Sequence, residues 1–212
     1  MVQYTLLYGD NRGLAEPARM LFSYANVKFE DDRSVTPETM EKIRDQLPFG
    51  QVPVLTIDGK VKLAQSKAIF RFLGRKFGLA GKDEIEQALV DSYGDFIQDL
   101  ITNTWAYFLC VIGRPLNPKD DKEKLAKEAQ TYIDTKWKKY FDKVVKESGS
   151  GFMAKSGVTW VDFLLANFYE NAAKYDLKPF TSLKNMKTIY DNVKALPQLK
   201  NYYATRKEPK PN

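Results

Sequence analysis

Residues Leu47–Ser66, LPFGQVPVLTIDGKVKLAQS, decide how the rest of the chain is read. Val54, Leu55 and Ile57 are strand formers, Asp58-Gly59 is the dipeptide preferred by a tight type I′ turn, and Val61 and Leu63 carry a return strand. Ser66 stands where a helix cap is expected, ahead of Ile69, Phe70, Leu73 and Phe77 at helical spacing. Pro53 is out of place in such a strand, because proline cannot donate to a ladder. It implies a turn at the strand's entrance, for which a cis Val52–Pro53 bond is one solution. That turn leaves the N–H and C=O of Val52 facing outward, free to pair with an extended peptide. The amino end of the following helix offers donors and partial positive charge to a carboxylate. The stretch describes a slot for a small acidic peptide or, more plainly, a hairpin with a capped helix behind it, and these residues alone leave both open.

A chain of 212 residues with 43% hydrophobic content suits one large globular domain or two small ones. No apolar run approaches membrane-spanning length, and MVQYTLLYGD lacks the basic region and long apolar core of a signal peptide, so a cytoplasmic enzyme or binding protein is expected. The net charge of +6 comes from lysines interleaved with acids along amphipathic helices, which reads as a solvated surface and not as a nucleic-acid or membrane site. The tail RKEPKPN reads as a frayed end. The absence of histidine removes Ser-His-Asp and Cys-His nucleophiles and histidine metal sites, and no metal is expected. A single cysteine, Cys110 in the apolar YFLCVIG, allows no internal disulfide or CxxC pair and reads as a buried, inert thiol.

Taken in order, Tyr4 to Tyr8 reads as a strand, Gly9 to Gly13 as a polar loop, and Leu14 to Tyr24 as a helix with Leu14, Ala18, Leu21 and Phe22 on one face. Val27 to Phe29 reads as a second short strand and Pro37 to Gln46 as a polar helix. With the hairpin and its helix, the order is βαβαββα, the pattern a thioredoxin-like domain requires. The glycines at 78 and 81 place a linker over residues 79–84, between a domain of residues 1–78 and a helical one of 85–212. Asp83 can cap a long helix reaching about Ile112, with Ile85, Leu89, Phe96 and Leu100 as its buried face. Gly94 inside it costs about 1 kcal/mol relative to alanine, which points to close packing on another helix. Further helices are expected near Lys122 to Glu147, Ser182 to Lys194 and Gln198 to Tyr203. Thr159 and Asp162 form a T-x-x-D capping box flanked by Val158 and Phe163.

FGQVPVL, the hairpin, and QSKAIFRFLGRKFGLAGKDEIEQALVD together resemble the cytosolic glutathione transferases, closest to the sigma class, to which hematopoietic prostaglandin D synthase is related, with some likeness to the pi class. The likeness runs over essentially the whole chain, and the capping box recurs at the start of that family's buried core helix. The resemblance implies an α/β thioredoxin-like N-terminal domain plus an all-α C-terminal domain, with glutathione as co-substrate. It assigns Val52, before Pro53, to the cysteinyl backbone of glutathione, and Gln65 and Ser66 to its γ-glutamyl end. Arg44 falls where the family has a lysine for the glycyl carboxylate, with Gln51 in the same loop. Asp99, in VDSYGDFIQDL, matches an aspartate lent across a dimer interface, and equally reads as an ordinary solvated helix acid. Tyr8, by itself a strand-end packing residue, occupies the place of the catalytic tyrosine.

Three positions depart from the sigma pattern: Gly9 replaces an aromatic, Leu14 an arginine and Met40 a tryptophan. A hydrophobic second substrate is expected beside Leu14, Trp105, Tyr107 and Phe108. Phe49 matches an aromatic key of the family's homodimers. The function implied is conjugation of the glutathione thiolate to small hydrophobic electrophiles. Glutathione-dependent isomerisation or peroxide reduction, a carrier of hydrophobic ligands and a crystallin-like relative stand as alternatives.

Overall fold

Strand β1 (Tyr4–Gly9) alternates between two packing environments, as a strand does when both faces of its sheet are covered. In a computed structural model of the chain, which describes residues 2–207, β1 leads through a 3-10 turn at Gly13–Ala15 into α1 (Glu16–Tyr24). Then come β2 (Glu30–Val35), α2 (Pro37–Ile43), a 3-10 turn at Arg44–Gln46, β3 (Val54–Ile57), β4 (Val61–Ala64) and α3 (Ser66–Lys76). The sheet order is β2-β1-β3-β4, with β2 parallel to β1 and the other pairs antiparallel. This is the expected thioredoxin-like arrangement. On one face the Tyr4 ring meets Phe22 of α1, and Leu6, Leu55, Leu21, Ile69, Phe70 and Leu73 are buried. On the other, Leu47, Val54 and Ala64 form a small core with Leu7, Met40, Ile43 and Val52 packed against it.

The second strand lies later than expected. Val27 to Phe29 is the lead-in, with Phe29 stacked on Phe22 at 4.4 Å, and the strand itself is EDDRSV. An edge strand is partly solvated, so its pairing with β1 does not require apolar residues. Its central acid is held by cations instead, Asp31 receiving Arg19 Nε at 2.9 Å and Arg33 Nε at 2.7 Å, while Glu30 accepts the Thr5 hydroxyl and Asp32 the Ser34 N–H. The hairpin turn has positive φ at Asp58 and Gly59, the type I′ signature, and Lys60 N–H closes it on the Ile57 carbonyl at 3.0 Å. Ser66 is not the cap of α3. The cap position belongs to Gln65, held at φ 69° without a side-chain capping bond, and Ser66 is the first helical residue.

The described chain divides into two compact units, one formed by residues 2–80 with residues 195–207 and the other by Gly81–Lys194. Where the sequence reading runs a helical domain from 85 to 212, residues 195–207 group with the first unit and pack on α1. The tail beyond Lys207, read as a frayed end, lies outside the described residues.

The second unit contains α4 (Glu84–Val111), α5 (Lys122–Tyr132), α6 (Lys138–Ser148), α7 (Trp160–Lys174), α8 (Lys178–Thr181) and α9 (Lys184–Lys194). A 3-10 turn at Pro197–Leu199 and α10 (Lys200–Thr205) complete the first. Asp83 caps α4 by accepting the Glu86 N–H at 2.8 Å. Gly94 lies under Trp160 of α7, so close that a Cβ there would stand 2.1 Å from the indole. That contact sets the rotation of α4. Val90, Ile97, Leu100, Thr104 and Tyr107 turn inward, whereas Ile85 and Leu89, expected in the buried face, are exposed.

The single helix expected over Lys122 to Glu147 is interrupted by a π-helical turn at Ile133–Trp137. Ile133, Trp137 and Phe141 are all buried, and the Trp137 indole donates to the Phe96 carbonyl at 3.3 Å. α7 starts on the expected capping box. Asp162 accepts the Thr159 N–H at 2.8 Å and, from the preceding loop, the Met153 N–H at 2.9 Å. Burial pushes its carboxyl up to about 6, against the hydrogen bonds that pull it down.

Candidate functional site

Sheet register gathers the candidate residues of the first unit. Leu7 pairs with Val54 and Val54 with Ala64, both antiparallel, so one step further Tyr8, Pro53 and Gln65 fall in line at one end of three neighbouring strands. The Tyr8 phenol, the turn at Pro53 and the Gln65 carboxamide therefore share one edge, set by the register of the strands that carry them.

Tyr8 belongs to the strand face of Tyr4 and Leu6, and its hydroxyl oxygen accepts the Leu14 N–H at 3.2 Å. The approach depends on glycine. At Gly13, φ is +40° and an added Cβ would stand 2.5 Å from that oxygen. With one lone pair engaged by an N–H, the phenol keeps its own hydrogen for an outside acceptor, and the engagement makes it a better donor. The residue at position 14 contributes here through its backbone, while its side chain is 47% exposed.

The Val52–Pro53 bond is cis, and among the described residues the main chain of Val52 has no hydrogen-bond partner. Its side chain is fixed in the core of Leu47, Val54 and Ala64, so the peptide group is presented from a rigid footing. Gln65 Nε2 lies 3.5 Å from Gln51 Oε1, which draws those two side chains together. Gln65 is one of the non-glycine residues at positive φ, a conformation that needs support from its surroundings. Ser66 opens α3, where first-turn amides point outward from the helix.

Arg44 donates from Nη1 to the Gly50 carbonyl at 3.3 Å, so its guanidinium lies along the loop that carries Gln51. Met40, where the sigma pattern has a tryptophan, is spent on the small core instead. Phe49 is 65% exposed.

The remaining candidates belong to the second unit. Asp99 is exposed on α4, and its carbonyl accepts Asn103 Nδ2 at 2.8 Å. Trp105, 41% exposed, stacks on Phe108 at 5.2 Å, and Phe108 meets Tyr175 edge-on. Tyr107 faces inward against Phe180 and is buried, which pushes its phenol up, with Asp176 adding to the effect.

Sequence reasoning passed over a group of charges on α1. Glu16 and Arg19 are buried, Arg19 Nη1 donates to the Asn11 carbonyl at 2.8 Å, and Glu16 Oε1 accepts the Tyr202 hydroxyl at 2.8 Å. The signal was present in LAEPARMLF, where an acid and an arginine three residues apart sit among apolar neighbours.

Residues 3–75 match the family described as "Glutathione S-transferase, N-terminal domain", and residues 109–206 match "Glutathione S-transferase, C-terminal domain". The chain is 38% identical over 206 residues to glutathione S-transferase 1 of Ascaris suum, covering 97% of this chain and 98% of that protein. The structure of a monomeric glutathione S-transferase from the hookworm Necator americanus is 37% identical and superposes with a TM-score of 0.86 over 98% of this chain and 99% of that one. Prostaglandin synthase D of Nilaparvata lugens is 30% identical, with a TM-score of 0.82 over 97% of this chain and 99% of that one.

Proposed function

Because the chain belongs to the glutathione S-transferase family, an enzyme family that uses glutathione as co-substrate, we propose that glutathione lies along the edge where Tyr8, Pro53 and Gln65 align. Val52 pairs with its cysteinyl main chain, Gln65 and Ser66 take the γ-glutamyl end, and Arg44 with Gln51 takes the glycyl carboxylate. The observation that carries this reading is the Tyr8 oxygen held by the Leu14 N–H at the end of the same register line.

A free thiol has a pKa of about 8.5, so little of it is thiolate at neutral pH. A phenolic hydrogen donated to the sulfur favours the anion, and each unit by which the thiol is lowered corresponds to about 1.4 kcal/mol. No general base is then required. The thiolate attacks a small hydrophobic electrophile, for which Leu14, Trp105, Tyr107 and Phe108 are the proposed apolar contacts.

We assign the protein to a sigma-like, tyrosine-type class acting in the cytoplasm, the compartment its resemblance implies. Residues 79–84 serve as linker, and the working form is a homodimer keyed by Phe49, in which Asp99 serves the neighbouring site. Sedimentation tests the dimer directly, and a Phe49→Ala protein that stays dimeric removes the key. Transfer of glutathione to an aryl halide tests the chemistry. Tyr8→Phe is expected to lose most of that turnover while still binding immobilised glutathione, and an active Tyr8→Phe protein would reject the assignment.

A second reading, glutathione-dependent isomerisation, is favoured by the likeness to the Nilaparvata lugens prostaglandin synthase D. Product analysis with a prostaglandin endoperoxide separates it from conjugation.

A further inference from the structure

The charges of α1 lie outside every glutathione contact proposed above, yet they are among the most deeply buried groups of the first unit. Glu16 is 1% exposed and Arg19 0%. Carboxylates and guanidinium groups are kept at that depth only when partnered. Arg19 divides its donors between two tasks. Nε binds Asp31 at 2.9 Å, whereas Nη1 donates to the carbonyls of Asn11 at 2.8 Å and Arg12 at 3.4 Å, and to Glu16 Oε2 at 3.4 Å. Two consecutive carbonyls of the loop between Tyr8 and Leu14 are thereby pinned by one guanidinium.

Glu16 in turn is held from the far end of the chain. Its Oε1 accepts from the Tyr202 hydroxyl at 2.8 Å and from Arg206 Nη1 at 3.4 Å, both in the C-terminal segment that belongs to the first unit. The contacts form one line: Tyr202 to Glu16, Glu16 to Arg19, Arg19 to the Asn11 and Arg12 carbonyls, and that loop onward to the Leu14 N–H on the Tyr8 oxygen.

We propose that Tyr202 is a positioning residue of the transfer reaction: its hydroxyl on Glu16 keeps Arg19 on the Asn11–Arg12 carbonyls, and so keeps the Leu14 N–H on the phenol oxygen of Tyr8. The proposal rests on Tyr8 being the donor to the thiolate. A carboxylate that loses the phenol draws more strongly on its guanidinium partners. Arg19 Nη1 then leaves the Asn11 carbonyl for Glu16, and the loop that aims Leu14 relaxes. The main chain of Val52 and the start of α3 are untouched, so glutathione still binds. What declines is the hydrogen bond from Tyr8 to the sulfur, and with it the fraction of bound thiol that is ionised.

The experiment compares Tyr202→Phe, Tyr8→Phe, the double variant and Asn201→Ala, a control on the exposed side of α10, all in the full chain. Four quantities are read: kcat and KM for glutathione with an aryl halide, the pH dependence of the ultraviolet absorbance of enzyme-bound thiolate, and the melting temperature. Tyr202→Phe is expected to lose about fivefold in kcat, with KM for glutathione within about twofold of the parent and the bound thiol titrating at higher pH. Asn201→Ala is expected to match the parent, and the double variant is expected to be no slower than Tyr8→Phe alone, because both changes act on one hydrogen bond. Melting temperature separates a lost fold from a lost aim.

An unchanged kcat and thiol titration in Tyr202→Phe overturns the proposal, as does a further full drop in the double variant or an equal drop in Asn201→Ala. If Tyr8→Phe itself retains full turnover, the reading of Tyr8 has failed. If Tyr8→Phe is slow while Tyr202→Phe equals the parent, only the role given to Tyr202 has failed.

Discussion

Glu16, at the start of α1, and Asp162, in the first turn of α7, are both buried carboxylates, and they are satisfied from opposite distances along the chain. Asp162 takes its donors from Thr159, three residues away, and Met153, nine away. Glu16 accepts from Tyr202 and Arg206, separated from it by 186 and 190 residues, as well as from nearby Arg19. The local device closes a helix end and fastens the loop just before it. The distant one ties the last helix to the loop that aims Tyr8. A buried acid built from local donors stabilises its own element, whereas one built from distant donors couples elements, and coupling is what a site can use.

The largest effect that would test this contrast is expected at Glu16. Replacing it with alanine removes the buried carboxylate shared by Tyr202, Arg206 and Arg19 and leaves Arg19 with Asp31 alone, which should cost about 3–5 kcal/mol by denaturant unfolding. It should also lower turnover per folded molecule, and full turnover would break the comparison. Asp162→Asn is expected to cost about 2–3 kcal/mol, from a lost cap and newly unpaired buried donors, with turnover per folded molecule unchanged.

The same acid sets a pH dependence. Its folded value of about 6 lies above the unfolded 3.8, so the folded chain binds the extra proton between them. Stability from this group is complete below about pH 4 and is lost as the pH rises through 6, by at most about 3 kcal/mol. Thermal melts of the parent and Asp162→Asn across that window should differ in slope, and equal slopes would remove the assignment. Gly13→Ala is expected to cost only about 1–2 kcal/mol from its positive φ, yet to lower turnover strongly because the Cβ displaces the Tyr8 oxygen. An active Gly13→Ala protein would show that the close approach is dispensable.

These contrasts follow which parts of the molecule were legible in sequence. The T-x-x-D box, the Asp58-Gly59 turn and the Asp83 cap were readable because each pairs residues within one turn of chain. Gly94 was readable as a contact, though its partner Trp160 was not. The error over Ile85 and Leu89 has the same origin. Apolar spacing says that a helix has a buried face, but the docking of Trp160 on Gly94 decides which one. Strand β2 was misplaced because its residues are chosen for an edge and for Arg19 and Arg33, so that no apolar alternation marks it. The sequence places the cap on Ser66 because Gln65 at φ 69° is a conformation that no residue type announces.

By itself the sequence determined what short-range chemistry can specify: the order of strands and helices, the turn and cap positions, and a family resemblance resting on FGQVPVL and the Gln-Ser pair. Tertiary structure alone decided that Tyr8, Pro53 and Gln65 share one edge, that Met40 belongs to a core, and that Glu16 is answered by Tyr202. The physical reason is range. Local hydrogen bonds and turn preferences act within a few residues and leave a pattern in the chain, whereas register and the pairing of buried charges arise only when distant segments exclude water together.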